Sequence, residues 1–179
     1  MAIIYSSKSN ANAGLIGHLD DLTRVLKEAK KLDVKSNPFD IEDFLLKLNF
    51  IILKEELGDD LSGYVEKRHA GWVIGLNKYQ SPRRQRFTMA HEFGHFVLHK
   101  SQLEKRGRWE DELLMRSDER NLIEKQANEF ASELLMPKKE FEAAVKNGED
   151  DVDKLANRFE VSIAAARYRA FKLGYLERY

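Results

Sequence analysis

The chain has 179 residues, 42% hydrophobic and 10% aromatic, enough to bury the core of one domain or slightly more, so wholesale disorder is excluded. Its 30 basic and 30 acidic residues cancel, which argues against a strongly basic nucleic-acid coat and against an acidic tail. Cysteine is absent, which excludes a disulfide scaffold, a Cys-ligated zinc finger, a thiol protease and an iron–sulfur site.

The first dozen residues, rich in Ser, Asn and Ala, read as a loose arm. Neither the N-terminus nor the short run Phe50–Leu53 is long enough for a signal peptide or a membrane span, so a cytoplasmic location is expected. Leu19, Leu22, Val25, Leu26, Ala29 and Leu32 recur at helical spacing and predict an amphipathic helix over 18–32. Asn37-Pro38 reads as the cap and first residue of a second helix that buries Phe44, Leu45 and Leu48. The period then changes. Phe50–Leu53, Leu61–Glu66 and Trp72–Asn77 are β-prone, separated by turns at Gly58-Asp59-Asp60 and His69-Ala70-Gly71. They predict a small antiparallel sheet of three strands, with Trp72–Asn77 as an exposed edge that an extended peptide could join. Helices follow over 83–100, 119–135, 138–146, 151–159 and 162–173, with 101–118 a charged loop or frayed helix. The fold class is α+β.

Residues 91–95 read His91-Glu92-Phe93-Gly94-His95. Histidines four apart on a helix share a face about 6 Å apart, a spacing that lets both bind one Zn²⁺ at about 2.0–2.1 Å. Glu92 sits about 100° round the helix, where it can reach a water on the ion as a general base. The competing explanation is a helix with solvated histidines. Phe87, Ala90, Gly94 and Leu98 surround His91, however, so the histidine face borders the apolar one. Burying two unpartnered imidazoles there would cost on the order of several kcal/mol.

A catalytic zinc needs a third ligand and an open fourth position. Glu124 is centred on a stripe of Ala127, Asn128, Ala131 and Leu135, and a lone buried carboxylate is costly unless paired or bound to metal. It is the candidate ligand; a salt bridge to Arg83, Arg84 or Arg86 is the alternative. Glu129 and Glu133 point away and read as solvated carboxylates. His99 lies too far round for the ligand face and reads as a helix-end or supporting residue.

The run Arg84-Gln85-Arg86-Phe87-Thr88-Met89-Ala90-His91-Glu92-Phe93-Gly94-His95, ending Leu98-His99, resembles the signature of the ImmA/IrrE metallopeptidase family. So does Glu124-Lys125-Gln126-Ala127-Asn128-Glu129-Phe130-Ala131 with Leu134-Leu135-Met136-Pro137. The likeness covers roughly residues 38–137. It implies a zincin-like helical core and a gluzincin-like site with His91, His95 and Glu124 as zinc ligands and Glu92 as base. It also implies a bacterial or phage protein that cuts a helix-turn-helix repressor encoded nearby, releasing genes for stress response, defence or mobile elements. Manganese is an alternative to zinc, because two histidines and a carboxylate are not strictly selective. For the charge on the reacting carbonyl the sequence offers Tyr64, His69, His99 and several arginines without choosing among them.

Charge is uneven: net +2 over residues 1–100, −6 over 101–153 and +4 over 154–179. The basic tail, with a helix, a turn at Val161-Ser162 and a helix bearing Arg167, Arg169 and Lys172, resembles a helix-turn-helix. Packing against the protease is the plainer reading; contact with DNA, single-stranded as an activating signal, is the sharper one. The expected organisation is an arm (1–17), a metallopeptidase domain (18–147) and a helical C-terminal segment (148–179). The rival to an enzyme is a protease-like module that binds a repressor or DNA without cutting.

Overall fold

A computed structural model describes residues 4–5, 21–112 and 118–177. In chain order these form β1 (Ile4–Tyr5), α1 (Leu22–Lys31), α2 (Ile41–Lys47), β2 (Ile51–Glu55), β3 (Leu61–Arg68) and β4 (Gly71–Asn77). Then come α3 (Pro82–Arg106), β5 (Arg108–Glu112), α4 (Asp118–Leu135), α5 (Lys138–Lys146), α6 (Val152–Arg158) and α7 (Ile163–Lys172).

The class is α+β as expected, but the sheet is not a three-stranded antiparallel meander. It is mixed, five strands in the order β1-β2-β4-β3-β5, with β2 and β4 parallel from Ile51 opposite Val73 to Glu55 opposite Asn77. The hairpin β3–β4 folds back so that β4 fills the centre. Turn residues at 58–60 mark a change of direction without saying whether it leads to the neighbouring strand or past it. Trp72–Asn77 is therefore an interior strand with both edges paired, and it offers no edge to a substrate.

Two further strands come from segments that gave no strand signal. Ile4–Tyr5 pairs antiparallel with Ile52–Leu53; the remainder of the expected arm, 1–3 and 6–17, lies outside the described residues. Arg108–Glu112 pairs with β3. Its composition is that of an edge strand carrying charge, which periodicity does not distinguish from a loop. The step from Leu61 opposite Glu112 to Tyr64 opposite Glu110 is three residues on β3 and two on β5, a bulge at Ser62-Gly63.

The start of α2 also differs from expectation. Its N-cap is Asp40, whose side chain accepts from Asp43 N at 3.0 Å; Asn37-Pro38 lies in a preceding turn closed by a Ser36–Phe39 bridge. A carboxylate three residues before a free helical N–H outcompetes the Asn-Pro signal.

One face of the sheet carries Ile52, Val65, Trp72, Ile74 and Leu76 into the main core, and α3 packs there through Phe93 and Phe96. Phe96 meets Phe50 at 5.0 Å and Trp72 at 4.9 Å, edge to face, and Phe93 meets Phe44 at 5.7 Å. Each fully buried Phe contributes about 1.5–3 kcal/mol, so this contact fixes the rotation of α3. On its other side α3 packs closely on α4: a Cβ on Gly94 would stand 3.0 Å from Phe130 Cδ1 and 3.3 Å from Ala127 O.

The C-terminal helices are tied to this core. Ser162 caps α7, accepting from Ala165 N at 3.1 Å, and Gly174, at φ +82°, takes the left-handed conformation beyond its end. Arg83 of α3 donates to Asn157 Oδ1 at 2.7 Å. The buried Arg169 donates to Met136 O at 2.9 Å and pairs with Glu133, and Lys172 pairs with Glu129 at 2.7 Å. Glu129 and Glu133 are thus partners of α7 rather than free solvated carboxylates, because the side of α4 away from α3 faces the C-terminal segment.

Candidate metal centre

The phase of α3 decides the site. Ser81 caps it, accepting from Arg84 N at 3.3 Å, with Pro82 at the first turn. With Phe93 and Phe96 turned to the sheet, His91 and His95 turn towards α4, and both are buried. Glu124 enters from α4 on the stripe of Ala127 and Ala131, which are fully buried.

The three side chains converge. His91 Nε2 lies 3.0 Å from His95 Nε2, and Glu124 Oε2 lies 3.1 Å and 3.3 Å from them. Among the described residues this is the group of three His, Cys, Asp or Glu side chains that could hold a metal ion. A tetrahedral ion with bonds of about 2.0–2.1 Å places its ligand atoms about 3.3 Å apart, so the donor set fits zinc. Its protonation fits as well. Burial pushes His95 down to about 4, outweighing the opposing pull of Glu124, so its imidazole is neutral at pH 7. Burial alone would raise Glu124, but hydrogen bonds from His91 and His95 outweigh it and hold the carboxyl well below its usual range. Metal binding requires this state, a neutral imidazole and an ionised carboxylate.

Supporting contacts surround the three. Asn128 Oδ1 lies 3.1 Å from His91 Nδ1, the indole Nε1 of Trp109 donates to Glu124 Oε1 at 3.0 Å, and His99 Nε2 contacts Gln126 Oε1 at 2.9 Å. Asn128 was visible in the sequence on the Glu124 stripe but carried no assigned role. Trp109 carries no sequence signal, since it sits in a segment that reads as a charged loop or frayed helix. His99 is outside the group of three and marks a kink in α3, with φ −124° and ψ 23°.

Glu92, fully buried, is also outside that group. Its carboxylate faces β3 at the bulge, where a Cβ on Gly63 would stand 3.6 Å from Glu92 Oε1 and only 2.5 Å from Thr88 Cγ2. Glycine at 63 is what lets α3 approach the strand there.

Other sequence candidates are placed elsewhere. Tyr64 points to the opposite sheet face and donates to Glu55, with burial, then that hydrogen bond, raising its pKa to about 12. His69 is exposed in the turn between β3 and β4. None of the three arginines pairs with Glu124: Arg83 reaches Asn157, Arg84 reaches Ser62 Oγ at 3.2 Å, and Arg86 reaches Phe39 O at 2.5 Å. A cleft of about 400 Å³ opens beside Glu124 and Asn128, walled by Phe87 of α3 and by Ala164, Ala165 and Tyr168 of α7, with Arg84 and Lys125 also lining it.

Residues 46–171 match the family model described as the IrrE N-terminal-like domain, a peptidase family. The chain belongs to the ImmA/IrrE family. No curated protein matches it. Among solved structures, a Mycobacterium tuberculosis transcriptional regulator is similar, with 19% identity, a TM-score of 0.57 and 86% of this chain covered. The match takes in 46% of that regulator, so this ImmA/IrrE chain spans less than half its length, and at that identity the likeness is one of fold. Membership makes the domain metallopeptidase-like, in keeping with the cluster of His91, His95 and Glu124. Among the described residues no helix is long and apolar enough to cross a membrane.

Proposed function

We propose that this ImmA/IrrE protein is a zinc-dependent endopeptidase that hydrolyses a peptide bond in a partner, a helix-turn-helix transcriptional repressor of a bacterial or phage switch. The observation that carries the reading is the convergence of two imidazoles, that of His95 kept neutral by burial, and one ionised carboxylate on a single point, with a second carboxylate, Glu92, adjacent in sequence to a ligand but not among the three.

His91, His95 and Glu124 would hold the ion. When bound, Zn²⁺ supplies Lewis acidity, bringing the pKa of a water towards about 7 and polarising a peptide carbonyl; Mn²⁺ is the alternative ion. Glu92 accepts the proton of the attacking water and returns it to the leaving amine. Asn128 keeps His91 oriented through its Nδ1. The substrate chain enters the cleft beside Glu124, where Phe87 and Tyr168 offer apolar surface and Arg84 and Lys125 positive charge. On this reading residues 18–147 are the metallopeptidase unit and 148–179 are a C-terminal segment whose helix α7 walls the cleft through Ala164, Ala165 and Tyr168.

That role for the C-terminal segment is favoured over groove reading of DNA. Of the three basic residues noted on α7, Arg169 is buried and Lys172 is paired with Glu129, which leaves Arg167 on the exposed side. Single-stranded DNA as an activator would act elsewhere on the surface.

Co-expression with the product of the neighbouring gene tests the proposal. A fragment with the wild-type chain, no fragment with Glu92→Gln, and equal zinc in both is the expected result. An intact neighbour in both cultures favours the non-catalytic module; a fragment in both removes Glu92 as the base.

A further inference from the structure

We propose that Trp109 is a positioning residue of the metal centre, fixing both Glu124 and His95. The inference rests on the reading of His91, His95 and Glu124 as the metal ligands. Trp109 sits on β5 opposite Val65 of β3 and is 4% exposed. Its indole N–H, a donor that can neither accept nor readily ionise, takes Glu124 Oε1 at 3.0 Å. Oε2 is thereby the oxygen turned to the two histidines. A glutamate side chain has three rotatable bonds, and that of Glu124 keeps 27% of its surface exposed beside the cleft. The charge-assisted bond to Trp109 selects one of its orientations and one of its oxygens.

The same ring acts on His95. His91 has a polar hold, with its Nδ1 against Asn128 Oδ1. The Nδ1 of His95 is buried and has no hydrogen-bond partner among the described residues. The indole instead lies along the His95 imidazole, with centroids 5.1 Å apart and planes within 29°. Packing by Trp109 supplies for His95 the orientation that Asn128 supplies for His91 by hydrogen bonding. Because β5 carries the tryptophan, its pairing with β3 connects the sheet edge to the metal ligands.

Trp109→Phe keeps a ring on His95 and removes the N–H. Zn²⁺ affinity of the full chain, measured by competition with a chromophoric chelator, should weaken about 10–100-fold, while the circular dichroism of the metal-free chain stays as in wild type. The chain has two tryptophans, so a ¹⁵N spectrum of the wild type holds two indole signals, assigned by Trp72→Phe. The Trp109 signal should exchange slowly with solvent and move on addition of Zn²⁺, and the Trp72 signal should stay in place. Wild-type affinity in Trp109→Phe, or a fast-exchanging Trp109 indole indifferent to Zn²⁺, overturns the proposal alone. A wild-type chain that takes up no Zn²⁺ overturns the metal-ligand reading and the proposal with it.

Discussion

Gly94 and Ala127 are in backbone-close contact: a Cβ at position 94 would stand 3.4 Å from Ala127 Cα and 3.3 Å from its carbonyl oxygen. Gly94 lies between the two histidines of α3, and Ala127 lies one turn beyond Glu124 on α4, so this contact sets the distance across which the third ligand must reach.

Gly94→Ala tests that spacing. Alanine gains about 1 kcal/mol of helix propensity, but overpacking against Ala127 and Phe130 costs about 1–3 kcal/mol. Net destabilisation of about 1 kcal/mol is expected by urea titration, together with weaker zinc binding as Glu124 is pushed outward. A stabilised variant with unchanged zinc affinity would contradict the role given to the contact.

Acid should weaken the metal-free chain over a defined window. An unfolded histidine titrates near 6.5, whereas burial holds His95 at about 4. Between those values the unfolded state binds a proton that the folded state does not. Stability is therefore complete above about pH 6.5 and declines as pH falls towards 4, by on the order of 3 kcal/mol. The lowered Glu124 contributes above its unfolded value of 4.5, and that contribution fades only at still lower pH. Denaturation midpoints at pH 7 and pH 5 should differ in wild type and converge in His95→Phe; a flat profile would show that His95 protonates freely.

The cleft can be filled without touching the ligands. Ala164 is exposed and lines it from α7. Ala164→Trp should reduce cleavage of the co-expressed partner by roughly tenfold or more and leave zinc content at the wild-type level. Undiminished cleavage would move the substrate path elsewhere.

The attachment of α7 rests on Arg169. Removing its bonds to Met136 O and Glu133 by Arg169→Ala should cost about 2 kcal/mol, since one partner keeps access to water. Arg167→Ala, at an exposed position, should stay within about 0.5 kcal/mol of wild type. Equal effects in a calorimeter would dissolve the distinction between the buried and the exposed arginine.

The sequence exposed whatever is written in local periodicity. His91, His95 and Glu124 were legible because each sits on a helix whose apolar stripe states which way it faces; the start of α3 at Pro82 and the bounds of α7 at Ser162 and Gly174 were legible too, but α3 runs on to Arg106, six residues past its expected end, because the charged residues after 100 carry no stop signal before Gly107. Strand order was not legible. The parallel pairing of β2 with β4 depends on where β3 goes after Gly58, a long-range choice that the turn residues do not encode. Trp109 was hidden for a related reason: β5 is a strand because β3 offers it an edge, and its own residues are mostly charged. Asn37-Pro38 misled because a strong cap signal lay three residues before a stronger one, Asp40.

On the proposed reading, two imidazoles and one carboxylate hold a single divalent ion. Dialysis of the purified chain against buffered Zn²⁺, followed by elemental analysis and X-ray absorption at the zinc edge, tests it most directly. One zinc per chain is expected, with two imidazole ligands and a carboxylate oxygen, lost in His95→Ala and in Glu124→Ala. Zinc absent from the wild type, or retained in full by both variants, would contradict it.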